Sequence, residues 1–288
     1  MEGCVQPQHS RVEPPLSIRE AKGYHLLLSQ LHFPRLANET VMAKNSEQAD
    51  AAYAEALKRI EDYGSQWVSH LDLSGLGLTT VPPELGQLTH LTKLNLEINH
   101  LTTLPPEIGK LTALTNLDLS GNRLTTLPPQ IGQLTILKKL DLGGNQLTTL
   151  PPEIGQLRAL KSFNLTSNQF TTLPPEFGQL TALTALFVGH NQLTTLPPEL
   201  GRLTALTKVF LHNNRLTTLL AEIGQLTALK ELILVNNQFT TLPPEISQLT
   251  ALTKLWLQDN KLTTLPGWLR DIPKLKELSL HDNPALQL

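Results

Sequence analysis

From Val68 onward, apolar residues fall on a fixed grid. Leu114 to Gln133 displays it: LTNLDLSGNRLTTLPPQIGQ, which reduces to L-x-x-L-x-L-x-x-N-x-L-T-T-L-P-P-x-I-G-x. The grid returns every 23 residues, with first positions at Val68, Leu91, Leu114, Leu137, Leu160, Leu183, Leu206, Leu229, Leu252 and Leu275. Ten starts at one fixed period predict a solenoid, in which each copy buries its apolar face only against its neighbours. Within a copy, L-x-x-L-x-L alternates apolar and polar, as a short strand with one buried face must. The strands then stack in parallel into one sheet. The rest of each copy, T-T-L-P-P-E-I-G-x-L, supplies the crossover that parallel strands require. Its two prolines lack N–H groups and fix φ, so the segment is expected to leave the strand as an extended connection outside any ladder. Ile108, Leu111 and their equivalents turn back to the core. Strands about 4.8 Å apart are closer than the connections behind them are thick, so the stack curves with its strands inside.

The fold expected is therefore an α/β solenoid: ten 23-residue copies, a parallel concave sheet and a helical cap at the N-terminal end. Residues 1–44 are read as a poorly ordered leader, punctuated by Pro7, Pro14, Pro15 and Pro34, in preference to the alternative of a short helix over 17–31. Met42 is a second candidate start. Residues 45–67 are read as the cap. Asn45 is placed as its N-cap with Gln48 as reciprocal partner, and Gly64 as its stop. Ala49, Tyr53, Ala56, Leu57, Ile60 and Tyr63 form the apolar stripe that, with Trp67, covers the first copy. Residues 68–288 are the repeat domain.

The ninth position carries Asn99, Asn122, Asn145, Asn168, Asn191, Asn214, Asn237, Asn260 and Asn283. An amide both donates and accepts, so it can satisfy backbone groups that the ladder does not reach where the chain leaves the strand. These asparagines are expected to form a buried structural ladder. Copy 1 has Leu76 there, as an atypical end repeat would. In copy 7, Leu220 and Ala221 replace the prolines, where drift or a local hinge is expected. The chain stops at Leu288 within copy 10, which reads as an open leucine end. A continuation, a partner (including self-association through that end) or a truncated gene is expected.

Alternation places positions 3, 5 and 7 on the concave face. Position 5, between two buried leucines, runs down the stack as Asp72, Asn95, Asp118, Asp141, Asn164, Phe187, Phe210, Ile233, Trp256 and Ser279. The first half is polar and acidic, and then four large apolar groups follow in consecutive strands. The repeat does not require them, so they are expected to face solvent and to mark an interaction surface. Val235 and His212 at position 7, with His190 and Asn213 beside them, frame the patch. The alternative is that the aromatics pack on one another along the ladder.

Composition narrows the function classes. The formal net charge is −2, unlike a typical nucleic-acid binder. Lys93, Lys138, Lys139, Lys161, Lys208, Lys230, Lys254 and Lys276 recur near the strands and read as a solvated rim, diluted by Glu231 and Glu277. Cys4 is the one cysteine, which leaves no internal disulfide and no zinc cluster. Histidines show no metal-ligand spacing, no nucleophile elbow occurs, and no cofactor is expected. There is no run long enough to span a membrane and no signal-peptide pattern. Asn38 and Asn164 begin N-x-[ST] triplets that are read as chance matches in a cytoplasmic chain.

The repeat is that of leucine-rich repeats and resembles the intracellular class carrying L-P-P-E-I-G-x-L, as in SHOC-2-like and plant intracellular Ras-group proteins. The entry Ala56–Ile60 with Leu71–Leu78, and the exit Leu280–Leu286, resemble the borders of the repeat region in bacterial Roco proteins. No G-x-x-x-x-G-K-[ST] phosphate loop occurs, because Gly109-Lys110 is followed by Leu111. The resemblance thus implies only the interaction arm of that family. The function expected is a non-enzymatic scaffold in intracellular signalling, binding a protein on its concave face. The alternatives are a truncated or split arm of a Roco-type regulatory GTPase, and a secreted effector that binds a host protein.

Overall fold

The computed structural model describes residues 39–66, 69–284 and 286. The alternative leader helix over 17–31, Cys4 and Trp67 lie outside them. Helix α1 spans Glu39–Gln66. Ten strands follow: β1 (His70–Asp72), β2 (Lys93–Asn95), β3 (Asn116–Asp118), β4 (Lys139–Asp141), β5 (Ser162–Asn164), β6 (Ala185–Phe187), β7 (Lys208–Phe210), β8 (Glu231–Ile233), β9 (Lys254–Trp256) and β10 (Glu277–Ser279). They form one parallel sheet in chain order, each residue paired with its equivalent in the next copy. Ser46–Leu288 make one compact unit; of Met1–Asn45, only the first residues of α1 are described.

The register follows from the repeat. Each copy presents the same buried leucines at positions 4 and 6, so a slip of one residue would bury the polar position 5 instead. Leu94 and Leu96 in copy 2 are buried, as are Leu101, Leu104, Ile108, Leu111 and Leu114. Copy 5 uses Phe163, Phe170 and Phe177 at three of these sites, with Phe163 and Phe177 stacked at 5.5 Å.

The crossover differs from the extended connection expected. The first proline of each pair is extended, but the second opens a 3-10 turn such as Pro106–Lys110. A missing N–H costs nothing in a first helical turn, and the fixed φ suits it. Leu220 adopts the same extended conformation, and Ala221–Gln225 forms the same turn. The loss of both prolines in copy 7 therefore leaves the backbone unchanged, without the hinge considered. Adjacent turns pack so closely that a Cβ on Gly132 would lie 2.6 Å from Glu153 O.

The nine asparagines are 2–8% exposed. Asn168 shows their bonding. Its Oδ1 accepts from Leu147 N at 3.0 Å, and its Nδ2 donates to Leu142 O at 2.9 Å and Leu165 O at 3.1 Å. Two of these partners belong to the preceding copy, so each amide ties neighbours together where the strand ladder ends. Asn99 does the same for copy 1 through Leu78 N and Leu73 O.

Helix α1 begins six residues before the cap boundary expected at Asn45, which lies inside it, and it continues past Gly64. The added residues Met42, Ala43 and Lys44 favour helix. Its packed face is Ala52, Ala56 and Ile60, with Tyr63 partly buried; Ala49, Tyr53 and Leu57 are only half-buried. Arg59 Nη1 donates to Asp72 O at 3.0 Å, which fastens the helix to the first strand. At the far end, Leu278 is 41% exposed, whereas its equivalents in β1–β9 are 0–2% exposed. Strand β10 has a neighbour on one side only among the described residues.

Candidate functional site

The site is the column of position-5 side chains. Its two halves are built differently. In copies 1–5 an Asp or Asn at position 5 accepts from the N–H two residues on. Asp72 takes Ser74 N at 3.0 Å, Asn95 takes Glu97 N at 3.0 Å, and Asp118 takes Ser120 N at 3.0 Å. Asp141 takes Gly143 N at 2.9 Å, and Asn164 takes Thr166 N at 3.0 Å. The short side chain turns the chain out of the strand as an Asx-turn does. Asn164 also donates to Asp141 Oδ1 at 2.9 Å.

From copy 6 a hydrocarbon replaces that acceptor. Among the described residues, no protein group accepts the N–H of Gly189, His212, Val235 or Gln258. Phe187 and Phe210 meet edge to face, 5.1 Å between centroids at 79°. Lys254 Nζ lies 4.9 Å above the Trp256 ring and 3.1 Å from Glu277 Oε2. Phe187, Phe210 and Trp256 are half-buried. Ile233 corrects the expectation of a solvent-facing row: it is 6% exposed. It pairs in register with Phe210 on one side and Trp256 on the other, and at strand spacing two large rings cover the residue between them.

The framing residues divide by position. Val235 and His212 are half-buried at position 7. His190 and Asn213 sit at position 8, a left-handed corner with φ 54° in both. His190 and His212 rings meet edge to face at 5.1 Å. Gly189 makes room for His212, since any Cβ there would overlap the imidazole. Burial first, and His190 second, lowers the His212 pKa to about 4. Asn213 Nδ2 donates to His190 Nε2 at 3.0 Å, and Asn236 Nδ2 donates to Asn213 Oδ1. The eight proposed residues thus form one continuous strip.

The acidic half lies on the same face, outside the residues expected to form the site. Glu97, at position 7, joins Asp72, Asp118 and Asp141 there. Burial raises the Glu97 pKa, and so do Asp118, Asp141 and Asp72. Burial also raises that of Asp141, against the hydrogen bonds from Gly143 and Asn164. Ser74 holds the Asp72 carboxyl low, first through its N–H. The signal available in sequence was the unbroken Asp/Asn run at position 5. Among the described residues, no group of three potential metal ligands converges, and no helix is long and apolar enough to cross a membrane.

Family models agree with this architecture. One described as a leucine-rich repeat region matches residues 130–232, and one described as leucine rich repeat matches 68–124 and 227–284. No curated protein matches significantly. Among solved structures, a leucine-rich-repeat protein of Leptospira interrogans is 36% identical with a TM-score of 0.61, over 73% of this chain and 63% of that one. The ectodomain of the Arabidopsis thaliana membrane receptor kinase GASSHO1/SCHENGEN3, in complex with CASPARIAN STRIP INTEGRITY FACTOR 2, is 32% identical with a TM-score of 0.70. That match covers 79% of this chain and 31% of the ectodomain. A plant peptide hormone receptor in complex with its partner RGF2 is 28% identical with a TM-score of 0.58, over 74% and 40% of the two chains. The chain spans less than two thirds of each of these structures.

Proposed function

The chain is a leucine-rich-repeat protein, and from that premise we propose that it is a non-enzymatic interaction module whose concave sheet binds a protein partner. The setting proposed is intracellular signalling in the cytoplasm. The observation that carries the reading is the row Phe187, Phe210 and Trp256, half-buried on the concave face. The core is complete without these rings, because positions 4 and 6 already fill it. Large aromatic groups left partly open on a rigid sheet are the usual anchors of interfaces. Two similar structures are receptor domains in complex with partners, which supports the same use here.

Affinity capture from the native cell tests the reading, comparing wild type with Trp256→Ala and Phe210→Ala. The expected outcome is a fold unchanged by circular dichroism and partner capture weakened by about 2 kcal/mol, roughly 30-fold. Unchanged capture by both variants would sink the proposal.

The likeness of the entry and exit segments to the borders of Roco repeat regions supports a second reading, the interaction arm of a Roco-type regulatory GTPase. Sequencing the genomic region that follows the codon for Leu288 tests it. A GTPase reading frame there is expected, and an unrelated gene argues against it.

A further inference from the structure

The two halves of the concave sheet settle their charges differently. In the apolar half, position-3 charges pair with each other: Lys208 Nζ lies 3.0 Å from Glu231 Oε1, and Lys254 Nζ lies 3.1 Å from Glu277 Oε2. In the acidic half, the carboxylates of Asp72, Glu97, Asp118 and Asp141 form no ion pair among the described residues. Arg59, bonded to the Asp72 carbonyl, and Lys139 reach the Asp72 and Asp141 carboxylates only through space. The repulsion is felt within the group, since three of these carboxylates raise the pKa of the fourth, Glu97. A cation from outside relieves that repulsion, and no such relief is required in the other half.

Resting on the concave-face reading above, we propose that the partner binds through one extended segment with a cationic cluster at one end and an apolar, aromatic-bearing cluster at the other. The cationic end lies on copies 1–4 and the apolar end on copies 6–9. Asn164, uncharged, separates them in copy 5. The strip spans positions 5 and 7. Position 3, which carries Lys or Glu in copies 2, 4 and 7–10, bounds it on one side and the left-handed corner at position 8 bounds it on the other, a width that fits an extended chain. The centres of the two clusters are five strand steps apart, about 24 Å at about 4.8 Å each. An extended segment covers that span in about seven residues. The N–H groups of His212, Val235 and Gln258, which no protein group accepts among the described residues and whose residues are half-buried, give such a segment main-chain donors beside its apolar end.

Selection of a displayed random 16-residue peptide library on the whole protein tests the proposal. Enriched peptides are then measured by fluorescence anisotropy against wild type, Trp256→Ala, and the double variant Asp118→Asn with Asp141→Asn. Asparagine occupies the same slot at Asn95 and Asn164 and keeps the bond to the position-7 N–H, so the double variant folds. The expected result is peptides with Lys or Arg about seven residues from aromatic or aliphatic groups, binding at least 10-fold more weakly to both variants. Peptides that are apolar only, weakened by Trp256→Ala and indifferent to the double variant, overturn this inference and leave the concave-face reading standing. Peptides that bind all three proteins equally overturn both. A selection that enriches nothing overturns the inference.

Discussion

Ile98 is 62% exposed and holds φ at 54°, a conformation that costs an L-residue about 1–2 kcal/mol and suits a β-branched one least. Every other copy fills position 8 with Gly, Ser, His, Asn or Asp. Ile98→Asn is therefore expected to raise stability by about 1 kcal/mol, seen as a higher urea midpoint; a lower midpoint would contradict the assignment of strain. His212 carries a different prediction. Its pKa is 6.5 ordinarily and about 4 in the fold, so the folded state favours the neutral ring. That contribution, of order 3 kcal/mol, is fully present above pH 6.5 and is lost as pH falls toward about 4. Glu97 and Asp141 act in the opposite sense, because their raised pKa values mean that protonation on acidification favours the fold. In His212→Asn, the fall in unfolding free energy between pH 6.5 and 4 should be clearly shallower than in wild type. An identical slope would show that His212 does not carry it. Asn168→Ala strands Leu147 N and two carbonyls, and should cost about 1–3 kcal/mol. A thermal melt unchanged from wild type would exclude that role.

At the scale of the element, the 3-10 turns matter more than the short strands suggest. They stack as tightly as the sheet, and the glycine in P-P-E-I-G is what allows it. Gly132→Ala places a methyl group 2.6 Å from Glu153 O and 2.8 Å from Glu153 Cβ. Backbone cannot yield there without moving the next turn, so a loss of about 1–3 kcal/mol is expected in chemical denaturation. Full stability in that variant would mean that the turns slide freely. Copy 8 has Ser247 in the glycine slot, beside the atypical turn Gly267–Asp271, whose C-cap Ile272 leaves the backbone angles shared by the other turns. The prolines, by contrast, only pre-set a conformation that Leu220 and Ala221 also adopt.

At the scale of the molecule, each copy touches its neighbours through the same bonds, so copies are interchangeable in register. Excising residues 160–182, the copy that separates the two clusters, should leave a cooperatively folded chain with one strand fewer. It should also bring the acidic and apolar clusters closer by about 4.8 Å, and shorten the preferred spacing in selected peptides by one to two residues. An unfolded product would show that the interface between copies 4 and 6 is not equivalent to the native ones.

The grid of leucines fixed the copies, the register and the face each residue takes, because a 23-residue period leaves one way to bury every leucine. The asparagines at position 9 were readable for the same reason, as polar groups at a place where the ladder must end. Three features lay outside what the grid determines, two of them because they depend on tertiary structure. Ile233 is covered by rings one strand away on each side, and no local pattern encodes the sizes of neighbours 23 residues off. The start of α1 at Glu39 reflects propensities too weak to mark a boundary. The unpaired state of the acidic column depends on which lysines find glutamates in the adjacent copy, a pairing that exists only after the strands are side by side.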